Sequence, residues 1–243
     1  AQRIVDRADE LGRKVAVQQQ MRYEEGMRAA RAMIERGWIG EVTTISFEVS
    51  LETDFGSWGW LGEAPQLEIY FHSIHYVDTL RAFLGEPTAV FSTQSKRPGQ
   101  KPVGDTRSVS VLLYPGELRG VIHSHHENIA ADNEARFRID GSEGSIRGDL
   151  GLLADYPRGR PDRLELWSRV LPTDGWLPYP VTRRWIPDAF LGPVGSLLRA
   201  IEDGGEPESG ARDNLRTLRL VEALYRSGET GQVVTIEPDG PAE

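Results

Sequence analysis

Between residues 88 and 168 the chain alternates short β-branched and aromatic runs with turn chemistry, and no other feature restricts its fold as strongly. The runs at residues 89–95, 107–114, 118–125, 136–140 and 164–168 are separated by breakers such as Arg97-Pro98-Gly99, Pro115-Gly116 and Gly141-Ser142-Glu143-Gly144. Links this short favour antiparallel neighbours, because a parallel pair needs a long crossover. Val42, Thr44, Ser46 and Glu48 alternate like an earlier strand, and residues 232–236 give a last one. Apolar positions three or four apart predict helices over residues 24–36, 188–203 and 209–228. Residues 148–163, with their glycines and prolines, read as an excursion from the sheet. The sum is an α+β domain: a large, mainly antiparallel open sheet with helices against one face. The other face then needs cover, which points to a homo-oligomer formed through it.

The chemistry concentrates in residues 66–87, which hold two of the chain's five histidines. Ile69, Ile74, Val77, Leu80, Phe83 and Leu84 seat this segment as a helix on a core, and Gly85 followed by Pro87 stops it. His72, His75 and Asp78 recur every third residue, so they share a face. A histidine there is often only a satisfied core residue, so spacing alone leaves its role open. Trp58 and Trp60 stand in a glycine-rich loop over residues 51–65, where indole faces could stack on sugar rings or plug the core. On the strand ending at residue 125, His123 and His125 share one face and His126 points away, a spacing that gives no three-ligand cluster.

Several stretches resemble the Gfo/Idh/MocA oxidoreductases. His75-Tyr76-Val77-Asp78 with Gly85-Glu86-Pro87 is similar to the His-x-x-Asp helix of that family's substrate domain. Gly37-x-Ile39-Gly40-x-Val42, the hairpin Ile139-Asp140-Gly141-Ser142-Glu143-Gly144-Ser145-Ile146, the run Glu222 to Ser227, and Gly231-Gln232-Val233-Val234 also resemble it. The hairpin glycines are expected to supply positive φ. The resemblance implies oxidation of a secondary hydroxyl of a sugar or cyclitol, with NAD or NADP as cofactor in the complete enzyme. It makes His75 the catalytic residue and Asp78 its support. Arg22, Tyr23, Trp58, Trp60, Glu68 and His72 are the candidates for binding substrate. It also divides the chain into the end of a dinucleotide-binding domain at residues 1–20, a substrate domain at 21–238 and a tail at 239–243. Helix-like Ile4, Val5, Ala8 and Leu11 and a strand-like run at residues 15–19 match that first piece.

The sequence departs from the family pattern in three ways. Phe71 and Ser73 stand where an Asp and a Gly often precede the histidine, and neither a Glu-Lys-Pro segment nor a strand-borne Gly-x-Gly-x-x-Gly occurs. No cofactor is therefore expected on this chain alone, and a separate or missing Rossmann half would supply it. Two other classes stay open: a non-catalytic sugar-binding or oligomerisation module, and a metal-assisted isomerase or hydrolase built on His72 and His75. No metal is expected, since hydride transfer with a nicotinamide needs no Lewis acid when histidine handles the proton.

A net charge of −9 argues against nucleic acid and anionic membranes as partners. The absence of cysteine excludes disulfides and thiolate chemistry. No run approaches a membrane span, and the first residues lack the apolar core of a signal peptide, so a cytoplasmic location is expected.

Overall fold

The computed structural model describes residues 1–53, 55, 58–154, 156–172 and 174–237. The expected tail at residues 239–243 lies outside the described residues. One nine-stranded sheet organises them, built from β1 (Val42–Ser50), β2 (Ala89–Ser95), β3 (Arg107–Leu113), β4 (Arg119–His125), β5 (Glu134–Gly141), β6 (Gly144–Asp149), β7 (Arg163–Ser168), β8 (Leu177–Tyr179) and β9 (Val234–Thr235). Their order is β8-β7-β6-β5-β1-β4-β3-β2-β9. Every neighbouring pair is antiparallel except β1 with β4, which the long helical crossover after β1 makes parallel.

Alternation along each strand sorts the two faces. Ile45, Phe47 and Val49 of β1, Ile122 of β4, Phe137 and Ile139 of β5, and Leu164 and Leu166 of β7 turn into the core. Three of the six helices, α1 (Gln2–Glu10), α2 (Glu25–Glu35), α3 (Gly59–Gly62), α4 (Ile74–Leu84), α5 (Leu191–Asp203) and α6 (Ala211–Thr230), cover that face. Met27 and Met33 come from α2, Tyr76, Val77 and Leu80 from α4, and Leu220, Val221 and Leu224 from α6. The helix α4 sits so close on β4 that a Cβ at Gly120 would lie 2.9 Å from Leu80 Cδ1. This close seating fixes where the histidines of α4 emerge.

The opposite face is less apolar than expected. Across β5 to β7 it carries the ion pairs Arg138–Asp140, Arg147–Glu165 and Arg163–Asp149, and the Arg147 guanidinium lies 4.0 Å over the Trp176 ring. Apolar character persists at Val109, Val111 and Val121 on β3 and β4.

Three sequence expectations are corrected. Residues 15–19 form no strand. Val17 N–H donates to the Ser209 carbonyl and Ala211 N–H to the Val15 carbonyl, so the hydrogen bonds go to the start of α6, and only an isolated bridge, Ala16 to Gly210, forms. The chain then makes a 3-10 turn at Gln20–Tyr23. Gly141 and Gly144 do not take positive φ. They are needed because a Cβ would lie 2.2 Å from the Ile39 carbonyl and 2.4 Å from the Trp167 carbonyl, respectively. β8 was not expected, because Pro178 interrupts its pattern; as an edge strand it tolerates the missing donor. Among the described residues no helix is long and apolar enough to cross a membrane.

Candidate active site

The segment before α4 is not regular helix. Ile69–Ser73 forms a π-turn in which Ile74 N–H reaches the Ile69 carbonyl five residues back. The wider turn brings side chains five apart onto one face, and Ser73 Oγ donates to Glu68 Oε1 at 2.7 Å. Such turns are frequent where function requires a displaced side chain. His72, in this turn, and His75, at the start of α4, line one cavity of about 450 Å³.

This cavity is apolar on one side and polar on the other. Leu152, Leu153 and Tyr156 reach it from the excursion between β6 and β7, and Trp185 and Phe190 from the turn before α5. His72, His75, His126, Thr53, Glu52 and Asn133 supply the polar wall. An apolar wall facing a few polar groups suits a small polyol, whose ring offers an apolar face and a hydroxylated edge.

His75 is held on both sides. Its Nδ1–H donates to Gln19 Oε1 at 3.1 Å, which leaves the lone pair on Nε2, and Trp185 stands edge-on at 6.3 Å between ring centroids. Burial, with a smaller contribution from His72, pulls its pKa down to about 4. The ring is therefore neutral near pH 7, with Nε2 unprotonated.

Behind His72 lies a buried polar cluster. Glu68 is fully buried, and its carboxylate accepts hydrogen bonds from Ser73 Oγ and Ser108 Oγ. Burial opposes its ionisation, but the facing rings of His126 and His72 prevail and hold the carboxyl well below the usual range. Burial pulls His72 downward against the upward pull of Glu68. The His72 and His126 rings meet edge-to-face, 4.9 Å apart.

Other residues singled out in the sequence fall elsewhere. Trp58 lines the cavity and packs edge-on against Phe71, whereas Trp60 is 68% exposed and outside it. Tyr23 packs on Gly192, where a Cβ would lie 2.2 Å from its ring, and does not reach the cavity. Arg22 is buried away from it: Nε and Nη2 form a fork on Asp78 at 2.5 and 2.7 Å, and further bonds go to Asp213 and the Glu208 carbonyl. Asp78 also accepts from Thr217 Oγ1 at 2.8 Å and makes no hydrogen bond to His75. Its place is the anchoring of α4. His123 and His125 lie together on the open face, 5.7 Å apart. Two site residues escaped the sequence reading. Gln19 gave no signal, since its partner is 56 residues away; for His126 the available signal was the alternation that turns it away from His123 and His125.

Residues 27–147 match the model of the GFO/IDH/MocA C-terminal domain. The chain belongs to the Gfo/Idh/MocA family. Among curated relatives, D-apiose dehydrogenase of Paraburkholderia graminis is 26% identical over 256 aligned residues, covering 100% of this chain and 65% of that protein. Inositol 2-dehydrogenase of Rhizobium meliloti is also 26% identical, over 85% of this chain and 60% of its own length. The chain thus spans about two-thirds or less of these Gfo/Idh/MocA relatives. An oxidoreductase from Agrobacterium radiobacter, solved with NAD+, L-tartaric acid and magnesium, superposes with a TM-score of 0.80 at 24% identity, over 96% of this chain and 68% of that one. That likeness establishes the shared fold.

Proposed function

We propose that this chain is the substrate side of an NAD(P)-dependent dehydrogenase that oxidises a secondary hydroxyl of a sugar or cyclitol, with His75 taking the hydroxyl proton. The observation that carries the reading is the fixed, neutral His75 ring on the wall of a polyol-sized cavity. Relatives that bear sugar and inositol dehydrogenase names support the substrate class. A nicotinamide cofactor, when bound, supplies the hydride acceptor. Among the described residues no glycine-rich turn between a strand and a helix offers a pyrophosphate cradle, so this chain's residues fit the polyol and not the dinucleotide.

The chain's own contributions follow from its geometry. Gln19 holds Nδ1–H, so the Nε2 lone pair is the proton acceptor as the C–H bond breaks. Trp58 offers an apolar face to the ring and Asn133 a polar group to its hydroxyls, whereas both His72 ring nitrogens already have partners in Ser124 Oγ and Tyr76 Oη. Trp185, Leu152 and Leu153 form the apolar side of the cavity around His75, and the proton passes on to solvent once the hydride has left. Residues 1–20 are assigned to the end of a dinucleotide-binding unit; exposed Ile4 and Leu11 on and beside α1 suit that contact.

The test is to present the full-length protein, including its dinucleotide-binding part, with aldoses, ketoses, cyclitols and sugar acids beside NAD+ and NADP+. Nicotinamide reduction is expected with at least one ring polyol and not with straight-chain primary alcohols. Cofactor binding without reduction by any of these compounds would favour the sugar-binding module instead.

A further inference from the structure

We infer that Glu68, His72 and His126 form a binding site for one divalent transition-metal cation, zinc foremost, on the polar wall of the cavity. This runs against the sequence expectation of no metal, which left open only a metal-assisted enzyme built on His72 and His75; His126 lies more than fifty residues from Glu68 and His72, and the fold unites the three. One ligand atom from each residue, all within 4.8 Å of one another, makes a two-histidine, one-carboxylate set.

His72 Nδ1 has one long hydrogen bond, 3.4 Å to Ser124 Oγ, which a cation would displace. Glu68 Oε1 is 3.6 Å from His72 Nδ1 and 3.7 Å from His126 Nε2. Both gaps are too long for a hydrogen bond. Oxygen and nitrogen ligands at about 2.0–2.2 Å from a tetrahedral zinc stand about 3.3–3.6 Å apart, so the first gap is at the upper end of that range and the second just beyond it. Independently, His126 is 3% exposed and its Nε2 is buried with no hydrogen-bond partner among the described residues. An imidazole nitrogen so placed, facing a carboxylate, has the chemistry of a metal ligand.

The outer contacts are those a metal site requires. His126 Nδ1 pairs with Thr53 Oγ1 at 2.6 Å; with Nδ1 carrying the proton toward Thr53, the Nε2 lone pair faces Glu68. His72 Nε2 pairs with Tyr76 Oη at 3.2 Å, which directs Nδ1 the same way. The Glu68 oxygens are steadied by Ser73 and Ser108. Ligating imidazoles characteristically hand their other nitrogen to such a partner. Both histidines line the cavity while Glu68 lies behind them, so a cation held by the three has its remaining position on the cavity side. There it would polarise a substrate oxygen beside His75. The site does not depend on the dehydrogenase reading, since occupancy is measured without turnover.

The experiment titrates metal-free full-length protein with zinc by calorimetry and repeats the loading with Co²⁺ to read its visible d–d absorption. The expected result is one ion per chain, a four-coordinate cobalt spectrum and a zinc-dependent rise in melting temperature. Glu68→Gln and His126→Asn should each weaken zinc by more than the roughly 10- to 100-fold that losing an outer partner costs, Thr53→Ala should weaken it within that range, and His123→Ala should leave it unchanged. His126→Asn, at the cavity wall, serves if Glu68→Gln fails to fold. No stoichiometric binding, or binding that survives His126→Asn undiminished, overturns the inference.

Discussion

His75→Ala in the full-length protein is expected to lower kcat by roughly 10²- to 10⁴-fold, the usual contribution of a positioned general base. KM should change little, because the proton is taken only as the transition state forms. The substitution removes a ring held by Gln19 and packed edge-on against Trp185, so some stability is lost with it. Melting temperature measured beside kcat separates the two effects. A purely structural histidine would lower the melting temperature and leave the folded fraction nearly as fast as the wild type.

The second large effect concerns the anchor beneath that histidine. Arg22→Ala should destabilise the domain by about 3–5 kcal/mol, because it strands the Asp78 carboxylate, 1% exposed, without its bidentate partner. Burial alone pushes the Asp78 carboxyl up, and Arg22 is the main force opposing that. The pair is nonetheless ionised, since guanidinium stays charged at every accessible pH and Asp213 reinforces it. Replacing both partners by apolar residues, Arg22→Met with Asp78→Leu, should recover part of the loss, as buried pairs are often exchangeable for packing. Chemical denaturation of the single and double variants checks this. A loss below about 1 kcal/mol for Arg22→Ala would show the pair to be as dispensable as a surface bridge.

Much of the fold was legible because the sheet is half-covered: strict alternation in β1 to β5 and turn residues between them mark strands without knowledge of their partners. The helices α2, α5 and α6 were legible for the same reason at a different period. What escaped depended on contacts distant in the chain. Residues 15–19 looked like a strand because Val15, Ala16 and Val17 favour one, but the start of α6 takes their hydrogen bonds. Gly141 and Gly144 looked like turn glycines, and backbone crowding requires them instead.

The site divides in the same way. His72 and His75 were legible together because one helix face carries both, and both line one cavity. Arg22 and Tyr23 were sought at the substrate because they adjoin the domain boundary of the resembled family. Arg22 instead spends four of its N–H contacts on Asp78, Asp213 and the Glu208 carbonyl, and Tyr23 lies against Gly192. No local pattern distinguishes a guanidinium aimed at a ligand from one buried on a carboxylate 56 residues away. His126 is a different case: a period-two argument set it opposite His123 and His125 without saying which face is covered, and only the assembled fold set it beside Glu68.

The central claim, that the His75 imidazole accepts the substrate proton, is tested most directly by adding free imidazole to folded His75→Ala enzyme. The vacated space beside Gln19 and Trp185 has the shape of the missing ring. Turnover should rise with imidazole concentration and, across a series of substituted imidazoles of similar size, with their basicity. Turnover that is indifferent to every imidazole, in a variant that still binds substrate and cofactor, would contradict the assignment.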